Sequence, residues 1–283
     1  MTDTVRGFYD DLAASYHLMF EDWEASMARQ ASALAPLLER ECGCSARSAR
    51  ILDCACGIGT QALGLAKYGF AVTGADLSPR AVARTCQEAS ARALDLPAYV
   101  ADMRDLSGIP ASGFDGVICM DNVLPHLGSE EDLARAASQI RSKLRSGGTF
   151  AGSIRDYDQL IEKRPVAQGP VFLSSDGGRR IVFQVWDWDG RCRPGHSRQA
   201  SNIVNTCTVT IKDTTPGQPY QAGGVRSVGY IKKGVWQIAR PDWCPAPALS
   251  ASGPDIPRRP SLGSYVGSNR DDRTIRAAAS FHP

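Results

Sequence analysis

The stretch Ile51-Leu-Asp-Cys-Ala-Cys-Gly-Ile-Gly-Thr60 constrains this chain more than any other. It reads as a buried strand, a tight glycine turn and the first residue of a helix. Gly57 and Gly59 have no Cβ, so the turn can be sharp and a ligand can lie against its backbone. The helix starting at Thr60 offers unpaired N–H groups and the positive end of its dipole to an anionic group. Asp53 stands at the strand end, four residues before the first glycine. A turn of this kind predicts a nucleotide-like cofactor.

Residues beyond Thr60 repeat the strand–helix alternation. Strands are expected at 50–54, 71–75, 98–100, 114–120 and 149–154. Asp76 ends the second strand. Ser78-Pro79 reads as an N-cap followed by a first-turn proline, and opens a helix to about Leu94. The 114–120 run is apolar throughout, as a central parallel strand requires. Ser129 caps a helix with Glu130, Glu131 and Asp132 in its first turn, where they suit the dipole. Its expected buried stripe is Leu133, Ala137, Ile140 and Leu144, and its expected end is Gly147-Gly148. Such alternation means a doubly wound α/β fold, with a mostly parallel sheet covered on both faces. Right-handed crossovers then bring the carboxyl ends of all strands to one rim. That rim collects Asp53 and Gly57, Asp76, Asp102, Asp121 and Asn122, and Arg155 and Asp156.

The first 45 residues form an extension. Trp23, Met27, Ala31, Leu34 and Leu38 follow helical spacing, so 21–41 is expected to be an amphipathic helix that meets Pro36. Phe8, Tyr9, Tyr16 and Phe20 precede it. Packing accounts for most of these aromatics, but an aromatic segment before the first strand can also close over a cofactor. Met1 to Asp10 has mixed charge and no apolar core, so no secretory signal is expected there. No apolar run reaches membrane-spanning length. Nine cysteines at irregular spacing read as reduced thiols rather than a disulfide framework or zinc site. These features together predict a cytoplasmic chain with no metal.

Two cofactors compete for the glycine turn. Gly57-x-Gly59-x-x-Ala62 fits a loose dinucleotide fingerprint, with Asp76 19 residues after Gly57. That would make the chain a nicotinamide-dependent oxidoreductase. Three features weigh against it: the acid at Asp53, the second acid at Asp102, and Asp121-Asn-Val-Leu-Pro-His-Leu127 after the fourth strand. In order along the chain, these motifs resemble the class I S-adenosylmethionine-dependent methyltransferases, over about residues 8–190. Asp53 to Thr60 is similar to the family's first motif, and Asp76 to its ribose-binding acid. Asp102-Met103 matches the pair that contacts adenine, and Leu144-Arg-Ser-Gly-Gly148 the turn before the fifth strand. Asp53 to Gln61, Asn122 to His126, Ser153-Ile-Arg-Asp-Tyr-Asp158 and Phe8 to Trp23 resemble the glycine/sarcosine N-methyltransferase-like branch in particular.

The resemblance implies cofactor contacts at Tyr9, Tyr16, Asp53, Ala55, Gly57, Gly59, Thr60, Asp76, Leu77, Asp102, Met103 and Met120. It implies acceptor contacts at Asn122, His126, Arg155 and Tyr157. The chemistry agrees. Ribose hydroxyls and the adenine amine need acceptors, a carboxylate suits a helix N-terminus, and a sulfonium cation suits tyrosine faces. Singly, Asp76 is also explained as a helix cap and Asp102 as a turn residue. Methyl transfer from a sulfonium needs alignment and exclusion of water, so no nucleophile, metal or catalytic base is assigned. Arg155 reads either as a fork for a substrate carboxylate or as a surface pair with Asp156 or Asp158. His126 reads as a hydrogen-bonded structural histidine, with a base as the alternative. The expected acceptor is a small amine or amino acid. A non-catalytic cofactor-binding protein and a homo-oligomer both stay open.

Domain organisation divides near Gly190. Strands at 171–172 and 180–188 are expected to begin a cap over the acceptor pocket, with 202–211 pairing with them. Residues 1–190 hold 19 Lys and Arg against 25 Asp and Glu, whereas 191–283 hold 13 against 5. Leucine falls from 18 to 2 across that boundary, and 10 of the 17 prolines lie beyond it. The resulting basic Pro/Gly/Ser-rich tail lacks the apolar periodicity of a packed segment. Nucleic-acid binding is not expected, because no basic helix face or motif accompanies the charge. The abrupt change points either to a divergent, partly disordered appendage or, as the favoured account, to a reading frame shifted near Gly190. The DNA around codon 190 tests that: with no alternative frame encoding a leucine- and glutamate-containing ending, the shift is excluded. Without the family's closing strand pair, the fifth strand is expected to be an exposed edge.

Overall fold

The computed structural model describes residues 2–127, 129–155, 160, 163–175, 178–188, 203–213, 222–231 and 278–280. Five parallel strands build the main sheet: β1 (Arg50–Asp53), β2 (Ala71–Asp76), β3 (Ala98–Val100), β4 (Phe114–Cys119) and β5 (Leu144–Gly152). Helices α1 (Thr2–Leu12) and α2 (Trp23–Cys42) precede them, and α3 (Thr60–Tyr68), α4 (Pro79–Ala91) and α5 (Glu130–Lys143) intervene. A second, antiparallel sheet contains β6 (Ala167–Ser175), β7 (Gly178–Trp188), β8 (Ile203–Asp213) and β9 (Ala222–Ile231) in that order. The three-residue β10 (Ala278–Ser280) returns to the main sheet, whose order is β10-β5-β4-β1-β2-β3.

Strand alternation sorts the core into two layers. Ile51 and Ile118 join Met27, Leu34 and Leu38 of α2 and Leu63 and Leu65 of α3 on one face. Leu52 and Val117 join Ala136 and Ile140 of α5 on the other. Helices α2 and α3 can cross closely because Gly64 has no side chain: a Cβ there would stand 2.7 Å from the Met27 carbonyl oxygen. The expected caps form. Ser78 accepts from Ala81 N–H and Ser129 from Asp132 N–H; Asp22, not anticipated as a cap, accepts from Ala25 N–H at the start of α2.

Three expectations are corrected. Helix α5 stops at Lys143 and β5 begins at Leu144, so Gly147-Gly148 lies inside a strand. Gly147 adopts φ +73 there, and a register shift between Phe114 and Gly116 on β4 accommodates the irregularity. The buried stripe of α5 is Ala136, Ile140 and Lys143, while Ala137 faces solvent. Lys143 reaches the Ile109 carbonyl at 2.6 Å, so its charge is hydrogen-bonded although it is buried. Finally, β5 is not an edge. Its residues Thr149–Ala151 pair antiparallel with β10.

Beyond Gly190, β8 pairs with β7 over 205–213, overlapping the expected stretch, and β9 extends that sheet. Strand β9 contacts α1 and the short helical turn Leu124–His126. This brings the second sheet to the carboxyl-end rim of the first. No helix among the described residues is long and apolar enough to cross a membrane. The described cysteines are free thiols, buried at Cys42, Cys54, Cys56 and Cys119. Burial pushes the thiols of Cys42 and Cys56 up, and a hydrogen bond with Cys119 together with burial does the same at Cys54, so these groups are inert.

Candidate functional site

A cleft opens at the rim where β1, β2 and β4 end. Its floor is Cys54 to Ile58, Thr60 and Gln61; its sides include Asp76 to Ser78, Ala101 to Arg104, Asp121 and Val123. Tyr9, Ala13 and Tyr16 close it from the N-terminal extension.

The glycine turn is held from three directions. Cys56 N–H donates to the Ala75 carbonyl at 2.9 Å, and Thr85 Oγ1 donates to the Gly57 carbonyl at 2.9 Å. Asp76 Oδ2 accepts from Gly57 N–H at 2.8 Å, and its Oδ1 accepts from Ser78 N–H at 2.9 Å. Each Asp76 oxygen keeps a second lone pair for a ligand hydroxyl. Burial raises the Asp76 carboxyl against the lowering effect of these two N–H donors. Gly57 adopts φ +54 with nothing within 4 Å of where a Cβ would stand, so a ligand can approach the backbone there. Gly59 differs: at φ +95 its Cβ would meet Leu63 Cδ1 at 2.9 Å. The first glycine therefore serves the cleft and the second serves the packing of α3.

The extension is fastened as a wall. Ser78 Oγ donates to Asp10 Oδ1 at 2.5 Å, tying α1 to the start of α4. Trp23 Nε1 donates to Thr60 Oγ1 at 2.9 Å, tying α2 to the start of α3. The Tyr9 hydroxyl lies 3.0 Å from His126 Nε2. His126 Nδ1 is buried without a hydrogen-bond partner among the described residues. Burial, helped by the Arg155 charge, lowers the His126 pKa to about 4, so the ring is neutral at physiological pH. Burial, then the Asp121 charge, raises the Tyr16 phenol well above its ordinary value, so it keeps its proton.

At the other end, Asp102 is engaged by Arg104. Its Oδ1 accepts from the Arg104 backbone N–H at 2.9 Å and its Oδ2 accepts from Nη2 at 2.6 Å. The same guanidinium reaches Asp132 of α5 at 3.1 Å. Against the raising effect of burial, the Arg104 hydrogen bonds and charge hold Asp102 below the usual carboxylate range. A ligand amine at Asp102 therefore shares the carboxylate with Arg104.

Of the expected site residues, Tyr9, Tyr16, Ala55, Gly57, Thr60, Asp76, Leu77, Asp102, Met103 and His126 line the cleft together. Asp53 lies beneath it, fully buried, with Oδ2 unpartnered among the described residues. Gly59 and Met120 are buried in packing. The Asn122 side chain turns to accept the Arg155 N–H at 3.1 Å. Arg155 is exposed beside the cleft, and its charge reaches Tyr16 and His126. Tyr157 lies outside the described residues. Residues not anticipated as contacts also line the wall: Val5, Arg6, Gln61, Arg104, Asp121 and Leu127. Val5, Phe8, Tyr9 and Leu12 carry helical spacing, a signal that would have found α1. Among the described residues, no group of three or more His, Cys, Asp and Glu is disposed to hold a metal ion.

The cleft fits S-adenosylmethionine by its own chemistry. It presents an acid with spare lone pairs beside an open glycine, a second acid at the far end, and neutral aromatic rings.

Comparison with known proteins agrees. A family profile described as "Methyltransferase domain" matches residues 51–148. The chain is 34% identical over 141 residues to glycine/sarcosine N-methyltransferase of Parasynechococcus marenigrum (strain WH8102), covering 50% of this chain and 48% of that protein. The chain spans about half the length of the curated relatives it matches first. DesVI of Streptomyces venezuelae shares the fold with a TM-score of 0.55 at 21% identity, over 72% of this chain and 77% of its own. CalS10 of Micromonospora echinaspora, an amino pentose methyltransferase solved with S-adenosylmethionine bound, does so with a TM-score of 0.52 at 19% identity, over 73% and 77%.

Proposed function

The chain carries a class I S-adenosylmethionine-dependent methyltransferase domain, similar in sequence to glycine/sarcosine N-methyltransferases, and we propose that it transfers a methyl group to the nitrogen of a small amine or amino acid. The observation that carries this reading is the convergence of the glycine turn, Asp76, Asp102-Met103 and the tyrosines on one cleft.

The bound cofactor supplies a methyl group already activated on a sulfonium. The chain's part is to bind, align and exclude water. Asp76 accepts from the ribose hydroxyls while keeping its bonds to Gly57 and Ser78. Asp102 accepts from the adenine amine beside the Met103 backbone. Tyr9 and Tyr16 present aromatic faces to the sulfonium, and the extension that carries them closes the cleft against water. His126 stays neutral and, through Nε2, holds the Tyr9 hydroxyl at the acceptor end of the cleft. Arg155 sets a guanidinium charge at this end of the cleft, which supports a carboxylate-bearing acceptor. The amine must arrive neutral, its lone pair facing the methyl group.

Calorimetric titration of the full chain tests the cofactor assignment. S-adenosylmethionine is expected to bind with one-to-one stoichiometry. Binding of NADH in its place, with no heat from S-adenosylmethionine, would return the glycine turn to the dinucleotide alternative.

A further inference from the structure

Asp121 and Asn122 are consecutive non-glycine residues in the left-handed region, at φ +55 and +68. Asp and Asn tolerate this backbone better than other residues, yet two in succession need support from elsewhere. The loop after β5 provides it. Asp121 N–H donates to Ser153 Oγ at 2.9 Å, Asn122 N–H to the Ser153 carbonyl at 3.3 Å, and Arg155 N–H to Asn122 Oδ1 at 3.1 Å. The result separates the two side chains. Asn122 turns to the loop and Asp121 goes to the cleft wall.

There Gln61 orients the carboxylate. Its Nε2 donates to Asp121 Oδ2 at 2.8 Å and to Gln30 Oε1 at 2.6 Å, so the amide is itself anchored on α2. Asp76 shares the cleft with Asp121. Burial raises the carboxyl of Asp53 beneath, and the Asp76 and Asp121 charges add to it, so Asp53 keeps its proton and leaves Asp121 as the charged group here. An oriented carboxylate on the cleft wall is complementary to an ammonium or amine N–H donor.

On the reading that the cleft binds S-adenosylmethionine, we propose that Asp121 is an amine-recognition residue, taking either the α-ammonium of the cofactor or an N–H of the neutral amine of the arriving acceptor. It binds and orients that group through charge-assisted hydrogen bonds. The assignment moves the polar contact expected of Asn122 one residue towards β4.

The test compares the full-length chain with Asp121→Asn and Asp121→Gly. The first keeps the shape and removes the charge. The second also relieves the left-handed backbone, so it is expected to fold at least as stably as the parent. Calorimetry measures affinity for S-adenosylhomocysteine, for its analogue lacking the α-amine, and for S-adenosylmethionine; methyl transfer is followed with glycine and sarcosine. A loss of tenfold or more for S-adenosylhomocysteine, with none for the deaminated analogue, assigns the cofactor's ammonium. Unchanged cofactor affinity with a tenfold rise in KM for the amine assigns the N–H of the acceptor. Equal losses for both homocysteine ligands, a loss confined to the sulfonium ligand, or no change in any measurement overturns the proposal. A parent chain that binds no S-adenosylhomocysteine overturns the cofactor reading itself, and the inference with it.

Discussion

Asp76→Ala will weaken S-adenosylmethionine binding by about a hundredfold or more. Hydrogen bonds to charged groups are worth about 1.5–3 kcal/mol each, and a factor of ten in affinity corresponds to about 1.4 kcal/mol. The carboxylate offers a spare lone pair on each oxygen to the ribose hydroxyls, so both bonds are lost together. It also holds Gly57 N–H and Ser78 N–H. The glycine turn therefore loses its support from β2 in the same variant. Asp76→Asn separates the two contributions, because its single carbonyl oxygen can keep one backbone N–H but cannot serve every partner. Calorimetry on both variants, with circular dichroism as the check on folding, measures the effect. A well-folded Asp76→Ala chain with affinity within fivefold of the parent would remove Asp76 from the cofactor site.

Asp53→Asn will make the ligand-free chain more stable than the parent at alkaline pH. Burial raises the Asp53 carboxyl from 3.8 to about 8, with Asp76 and Asp121 adding to it against the Ala55 N–H. In the unfolded chain the group loses its proton near its ordinary value. Between about pH 4 and pH 8 the unfolded state has released that proton and the folded state has not. The parent therefore loses stability as pH rises through this window, by about 1.4 kcal/mol per pH unit from this group. Above about pH 8 both states are ionised and the loss levels off. Asparagine does not ionise, so the variant escapes this contribution. Asp76 is raised in the same direction and leaves a residual slope of the same sign in both chains. Urea unfolding at pH 5, 7 and 9 reads the difference, which should be small at pH 5 and grow with each step. Parallel curves for the two chains would mean that Asp53 ionises normally in the fold.

That Gly57, Asp76 and Asp102 meet in one cleft was legible in the amino-acid sequence because it obeys local rules. Gly57, Asp76 and Asp102 each come after a short apolar strand, and parallel topology brings such positions to one rim. Met120 misled for the same reason. It comes directly after β4, but strand alternation turns its side chain into the layer under α2. Asp121 was visible only as a rim residue, since its entry into the cleft depends on a left-handed backbone held by Ser153, 32 residues later. An Asp-Asn pair after an apolar strand is the sequence trace of that geometry. Ala137 was assigned to the core by four-residue spacing from Leu133, whereas the buried positions are Ala136, Ile140 and Lys143. A lysine in that stripe is not readable as buried until Ile109 is seen to receive it. The later strands were the least legible. β9 contains three glycines, and β10 is three small residues paired with a strand more than a hundred positions earlier. Neither carries an alternating pattern strong enough to declare itself without its partner.

The central claim is that this cleft brings an activated methyl group to an amine. Its most direct test is incubation of the purified full-length chain with methyl-labelled S-adenosylmethionine and a panel of small amines and amino acids, glycine and sarcosine included, with label followed into each product. Label on the nitrogen of at least one acceptor, lost in Asp76→Ala, is the predicted result. Tight cofactor binding with no label transferred to any amine would contradict it, and would leave the chain a cofactor-binding protein rather than an amine methyltransferase.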